Sequence, residues 1–275
     1  MGGGATAKDH PLEYLIASGA AAAINYPLWR ASAMAQSGFT VGRGARSTNM
    51  FVYAFVPPYK GMVGVISGMT WARAAIFWGS DYGKAALSKH DLPDFYATVI
   101  PPLLVSSFVQ CVNQPIVRAS ITLQNPKSGL NSTWSSIRHI YTNHGATGLW
   151  HGTSAGILKT VPKYCTAIVV KDFMENTLPQ IDDQTSPNYD RDRLCRSAIK
   201  SATAGVAGAA LTNPFDVIRN EMFKTNESLP RTVRRLTEEG SGFITRGMTK
   251  NMIAVAIPVS CTIFFTDILI QIKNM

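Results

Sequence analysis

Three prolines set the frame of this chain: Pro27, Pro115 and Pro214 each follow a small-residue, uncharged stretch, at separations of 88 and 99 residues. A glycine follows each proline after 34, 37 and 33 residues, at Gly61, Gly152 and Gly247, and opens a second apolar segment. Twenty residues beyond each glycine stands an aspartate: Asp81, Asp172 and Asp267. The same offset in three units predicts an internal repeat, a hairpin of two helices written three times. Nine positions before each proline lies a small residue, Ser18, Ser106 or Gly205, where one helix can approach another closely. Asn or Gln precedes each proline nearby, at Asn25, Asn113 with Gln114, and Asn213.

Hydropathy predicts where these helices run. Residues 95–117 carry no formal charge over 23 positions, long enough to cross about 30 Å of hydrocarbon. Shorter uncharged runs at 14–29, 201–215 and 251–266, with stretches interrupted only by isolated Lys or Arg at 61–80 and 153–170, bring the candidates to six. Only 95–117 reads as apolar throughout, so polar residues in the others are expected to face protein or water. The expected fold is an all-α membrane protein of six transmembrane helices in three tandem, pseudo-threefold repeats, residues 8–90, 93–180 and 190–275. Short surface helices near 133–141 and 232–239 join the helices of a pair.

Composition narrows the function. Charged residues are 16% of the chain, sparse for a soluble domain, and Lys plus Arg exceed Asp plus Glu by 26 to 17. The excess lies in connectors, at Arg138, Arg231, Arg234 and Arg235, where anionic lipid is the natural partner; no nucleic-acid module is visible. The four cysteines stand far apart without metal-ligand spacing, and His10, His90, His139, His144 and His151 are scattered without nucleophile partners. Neither metal, cofactor nor catalysis is expected. The amino terminus has no secretory or presequence pattern, although Gly2 with Thr6 formally fits a myristoylation site.

In these features the chain resembles the mitochondrial carrier family, whose repeats of about one hundred residues each carry P-x-[DE]-x-x-[KR] on the odd helix. The third unit reads Pro214-Phe-Asp216-Val-Ile-Arg219, then Glu239-Gly240 and Arg246-Gly247; the second has Trp150-His151-Gly152, the first Tyr59-Lys60-Gly61. The resemblance implies a multi-pass protein of the mitochondrial inner membrane. It also implies cardiolipin phosphates held at helix amino termini by Tyr59, Lys60, Gly61, Trp150, Gly152, Arg246 and Gly247, a role that helix dipoles and free N–H groups make physically reasonable.

Family members work by alternating access between two gates, and here the resemblance leaves the gates incomplete. Toward the matrix, the acid two residues after proline becomes Trp29, Val117 and Asp216, and the base five after becomes Ser32, Ser120 and Arg219. Asp216 would face Ser32 and Arg219 would face Val117, so no pair is expected. Arg30 and Arg118 would have to reach Asp216, while Gln36 and Gln124, nine past proline, occupy the position of a glutamine brace. Toward the cytosol, Asp267 is expected to meet Lys84, and Asp81 to meet Glu175 as like charges, with Lys171 beside Asp172. Solute contacts are implied about seven residues after each glycine, at Gly68, Lys159 with Thr160, and Ala254; Arg73 and Lys163 add positive charge a turn further on. The missing gate pairs favour a structural or accessory subunit of a respiratory or ATP-synthase complex; a third class, a lipid-surface adaptor or membrane receptor for another protein, would dock through the acidic and basic stretch 179–193. The alternative is an active carrier of a small anionic metabolite or nucleotide.

Overall fold

The computed structural model describes residues 11–39, 52–89, 94–179 and 189–274. Among them the chain forms ten helices: α1 (Pro11–Ile24), α2 (Tyr26–Gln36), α3 (Met62–Leu87), α4 (Asp94–Leu123), α5 (Thr133–Leu149), α6 (Thr153–Thr177), α7 (Tyr189–Thr225), α8 (Leu229–Glu239), α9 (Gly242–Thr245) and α10 (Met248–Asn274). No strand occurs among the described residues. Gly2, the histidines 10 and 90, and most of the stretch 179–193 lie outside them.

Two helical stretches are long and apolar enough to cross a bilayer by length and composition, Val99–Leu123 and Gly242–Ile270. The second corrects the expectation that only the 95–117 stretch is apolar throughout, since its mean hydropathy of 2.2 exceeds the 1.2 of Val99–Leu123. Its uncharged core is short, but Ile, Val, Phe and Leu fill both sides of it, and Lys250 and Asp267 stand near its ends.

Two of the three repeat prolines lie inside helices, and the first stands at a helix start. Pro27 enters α2 just after the break at Asn25, where the Asn25 side-chain amide donates to the Ala21 carbonyl at 2.8 Å. Pro115 and Pro214 lie inside α4 and α7, which run on to Leu123 and Thr225. Proline removes an amide donor from the helical ladder and leaves its neighbourhood short of hydrogen bonds. A hydroxyl four residues later repeatedly adds one, from Ser106 to Pro102, Thr166 to Pro162 and Thr262 to Pro258.

Gly61, Gly152 and Gly247 do open the next helix, and all three are left-handed, with φ of 78°, 82° and 72°. Their neighbours explain why no side chain fits. A Cβ on Gly61 would strike Leu123, one on Gly152 would stand 2.6 Å from Phe223 Cε1, and one on Gly247 would stand 2.8 Å from the Gln36 backbone nitrogen. Each opening glycine therefore packs on the end of the helix that carries the next proline, and the third returns to the first.

Packing between elements follows the same order. The α1–α2 segment touches α3, α3 lies on α4, α4 on α6, α6 on α7, α7 on α10, and α10 returns to α1 and α2. The first and last long helices are thus neighbours, joined at one end by Lys273 and Glu13 at 2.5 Å.

Candidate functional site

The ends of α2, α4 and α7 beyond their prolines hold a dense set of buried polar side chains. Within each unit, the residue before the proline donates to the carbonyl of the residue before the opening glycine. Tyr26 Oη donates to Lys60 at 2.7 Å, Gln114 Nε2 to His151 at 2.7 Å, and Asn213 Nδ2 to Arg246 at 3.1 Å. Three different side chains perform one task, which identity-based repeat matching does not detect.

Between units a second set of contacts hands on from one to the next. Arg30, three past Pro27, donates through Nε to Gln124 Oε1 at 2.7 Å, and Gln124 Nε2 donates to the Lys60 carbonyl at 3.2 Å. Arg118, three past Pro115, donates through Nη2 to Asn226 Oδ1 at 2.9 Å and lies 5.9 Å from the ring centre of Phe223. Phe223 is nine past Pro214, where Gln124 is nine past Pro115. The last unit closes on the first through Gln36 Nε2 to Asn213 Oδ1 at 2.9 Å and Arg246 Nε to the Gln36 carbonyl at 3.1 Å.

These contacts correct the expectation for Arg30 and Arg118: neither reaches Asp216. Both residues are about 1% exposed. Arg30 Nη1 is held by the carbonyls of Ala54 and Pro57, and Arg118 Nη1 by that of Gly148. Desolvation explains the choice, because a buried guanidinium needs acceptors in the plane of its fork, and backbone carbonyls supply them without a second buried charge.

Asp216 has other partners. Lys159 Nζ donates to both of its oxygens, at 2.8 and 2.7 Å, and Arg219 Nη2 donates to Oδ1 at 2.9 Å. The expectation that no ion pair forms at this end is therefore wrong, and Lys159 lies in the seal itself. Sequence spacing misses the pair because Lys159 is on α6, whereas a pairing rule confined to the proline-bearing helices searches α2, α4 and α7. Ser32 instead donates to Asn251 at 3.4 Å. Thr160 turns its hydroxyl to the Gly156 carbonyl of its own helix at 3.2 Å, and Lys163 lies a turn beyond Lys159.

A further carboxylate, Glu221, seven past Pro214 and 2% exposed, binds three cations. Arg246 Nη2 reaches Oε1 at 2.7 Å, Arg235 Nη2 reaches Oε2 at 3.1 Å, and Lys224 lies at 3.4 Å. Arg246, expected to hold lipid phosphate, is here engaged by Glu221 and by the Gln36 carbonyl. Tyr59 and Trp150 remain about half exposed, and the Trp150 indole donates to the Cys111 carbonyl at 3.0 Å.

At the opposite end the side chains of Arg73, Asp81, Asp172 and Asp267 lie outside the described residues, as does that of Lys171. Lys84 is exposed on the last turn of α3. Glu175 pairs with Arg196 at 3.0 Å and with Lys200, both on α7, which amends the expectation of a bare meeting of two acids. Those cations lie on the following helix, outside the pattern of even-helix charges.

His151 sits in the connector before α6, its Nε2 2.7 Å from the Glu227 carbonyl. A carbonyl can only accept, so this nitrogen carries the proton. Burial holds the imidazole pKa below its ordinary 6.5, and the nearby Arg118 charge acts in the same direction.

The order of helix neighbours runs once through the chain and returns to its start, with polar side chains joining successive units at one end. Residues 94–182 match the family model described as mitochondrial carrier protein. The chain is 25% identical over 205 residues to the protein MITOFERRINLIKE 1, chloroplastic, of Arabidopsis thaliana, covering 69% of this chain and 48% of that one. It is 25% identical over 145 residues to mitochondrial brown fat uncoupling protein 1 of Ovis aries, covering 50% and 45%, and 27% identical over 160 residues to the mitochondrial RNA-splicing protein MRS3 of Saccharomyces cerevisiae, covering 53% and 49%. The chain spans about half the length of these curated relatives. Together the matches make the chain similar to mitochondrial carriers, through the family model over residues 94–182 and through these relatives over half to two thirds of its length.

Proposed function

We propose that this chain is a solute carrier that passes a small anionic metabolite across the mitochondrial inner membrane by alternating access. In this reading α1 with α2, α3, α4, α6, α7 and α10 are six spanning segments in three repeats, 8–90, 93–180 and 190–275, with α5 and α8 at the membrane surface. The order of helix neighbours and the threefold recurrence of the glycine and proline contacts support that arrangement.

The observation that carries the proposal is the seal past the prolines. The accessory-subunit reading rests on absent gate pairs, yet Arg30, Arg118, Gln36 and Gln124 link each unit to the next by other means. A permanent scaffold gains little from buried arginines, because well-packed apolar side chains hold a core at least as well. Hydrogen bonds to amides and carbonyls close an end while remaining breakable, since water can replace each one when that end opens. Lys159 and Arg219 outnumber Asp216 where they meet, a local positive excess that favours an anionic solute. Cardiolipin is proposed as the lipid neighbour at the start of α3 and α6, beside Tyr59, Lys60 and Trp150.

Reconstitution into liposomes tests the reading. Saturable exchange is expected with at least one member of a panel of nucleotides, phosphate, mono- and dicarboxylates, and is abolished by Lys159→Ala. Silence across the panel, with correctly folded protein in the membrane, refutes it.

A further inference from the structure

At the end of α2 the last helical carbonyls find donors in turn. Those of Ala33, Met34 and Ala35 accept from the amides of Ser37, Phe39 and Gly38, at 3.1 Å each. That of Gln36 is taken from another unit, by Arg246 Nε at 3.1 Å. A cation at a helix carboxyl end also meets the negative end of the helix dipole. Gly38, left-handed at φ 61°, leaves room for it, since a Cβ there would stand 3.3 Å from Arg246 Nη1. Arg246 thus clamps the third unit onto the first.

A guanidinium on a long stem has many places to go, and Glu221 fixes this one. Its Oε1 accepts from Arg246 Nη2 at 2.7 Å, so the carboxylate holds one arm of the fork while Nε meets Gln36. The other oxygen, Oε2, accepts from Arg235 Nη2 at 3.1 Å. Arg235 belongs to the surface helix α8, and its Nε and Nη1 also reach Glu227 at 3.0 Å and Glu239 at 2.7 Å. The two oxygens of Glu221 are therefore divided between the surface helix and the clamp.

We propose that Glu221 is a positioning residue for the closure between the third and first units: it holds Arg246 on the Gln36 carbonyl, and through Arg235 it makes the placement of α8 govern whether that seam stays shut. Its part in a transport cycle rests on the carrier reading above, whereas the clamp itself needs no solute.

Packing alone does not call for a carboxylate here. The same offset, seven past the proline, is filled by the buried Met34 in the first unit and by Thr122 in the second. Burying an ionised side chain costs solvation that a methionine keeps, and what it brings in exchange is directed bonding. The second unit offers a comparison, because His151 stands before Gly152 as Arg246 stands before Gly247, and it too reaches a carbonyl of the following unit, that of Glu227, at 2.7 Å. A short ring needs no carboxylate to aim it. Leu229, Val233 and Leu236 of α8 pack with Ile218 and Met222, which flank Glu221 along α7, so a shift of α8 acts directly on this carboxylate.

The test uses full-length protein in lipid nanodiscs, both faces open to reagent, with the four native cysteines replaced by serine. Ser32→Cys reports on the closure, because the buried Ser32 meets Asn251 of α10; Ser120→Cys, also buried and also five past its proline, is the control in the second unit. A small water-soluble thiosulfonate labels each at a rate set by local opening. Glu221→Gln is expected to speed labelling at Ser32→Cys about tenfold and to leave that at Ser120→Cys within about twofold. Arg246→Gln should do the same, and the two changes together should do no more than either, being two cuts in one link. Arg235→Gln, on the surface helix, should speed the same reporter roughly threefold. Should Glu221→Gln fail to fold, the Arg246 and Arg235 variants carry the test by the same contrast between reporters. Equal rises at both reporters reveal a general loosening and overturn the clamp, as do additive effects of the Glu221 and Arg246 changes or unchanged labelling at Ser32→Cys. A silent Arg235→Gln overturns the tie to α8. Liposomes that exchange nothing remove the carrier reading, while labelling still decides the clamp.

Discussion

Replacing Gly247 by alanine should unfasten the closure between the last and first units. Two costs combine at this position. The backbone is left-handed, φ 72°, which for a residue with a Cβ costs about 1–2 kcal/mol. The added carbon would also stand 2.8 Å from the Gln36 nitrogen and 3.0 Å from the Ala35 carbonyl carbon, backbone atoms that cannot rotate aside as a side chain would. Overpacking of that kind adds roughly 1–3 kcal/mol. The sum, about 2–5 kcal/mol, corresponds to a drop of roughly 5–15 °C in thermal midpoint for a chain of this size. Gly129→Ala is the internal control, because Gly129 has φ 66° but nothing within 4 Å of where its Cβ would stand, so only the conformational cost applies. Thermal unfolding of the purified protein in detergent, followed by intrinsic tryptophan fluorescence, should show Gly247→Ala several degrees below Gly129→Ala. Equal midpoints would refute the close approach of α10 to the end of α2.

Other perturbations test separate parts of the seal. Gln124→Glu turns the 2.7 Å charge-assisted bond from Arg30 into a full ion pair, a gain expected to outweigh the 3.2 Å bond from Gln124 Nε2 to the Lys60 carbonyl that it gives up. It should raise the thermal midpoint while slowing exchange on the order of fivefold, read in the liposome assay. Glu221→Gln removes the carboxylate that Arg235, Arg246 and Lys224 share in a buried position, and should destabilise the chain by about 3–5 kcal/mol in chemical or thermal unfolding. His151 titrates below its ordinary 6.5 when folded, so its neutral form stabilises the protein above that pH, and the contribution is lost as pH falls through 6.5 toward the folded value. The thermal midpoint should fall on acidification below pH 6.5, and His151→Gln, which can still donate to the Glu227 carbonyl, should flatten that slope.

The skeleton of the fold is legible in the sequence, whereas the chemistry of the seal is mostly hidden there. Prolines and glycines carry their conformational requirements with them, so spacing alone assigns Gly61, Gly152 and Gly247 to helix starts, and their positive φ values agree. Gln36 and Gln124 also stand out by their shared offset. Their partners do not, because an amide meeting Arg30 or Asn213 has no complementary charge to betray it, and a carbonyl such as that of Gly148 is present in every residue. Phe223 replaces glutamine at the third such position and still faces an arginine, a substitution that only the cation–π geometry makes intelligible. The pairing of Lys159 with Asp216 is hidden for a different reason: the register between α6 and α7 is a tertiary quantity, and a rule that looks along one kind of helix cannot contain it.

The adjacency of α10 and α1 has a mechanical consequence. Every other step around that ring joins long helices that follow one another along the chain, so a polypeptide strap limits how far the two can part; α10 and α1 have no such strap between them. Their seam depends on noncovalent stitches, Lys273 with Glu13 at one margin and Arg246 with the Gln36 carbonyl at the other. Sideways strain on the wall, from detergent, membrane tension or heat, therefore concentrates there, and the wall should split along that line like a clasp before any strapped joint yields.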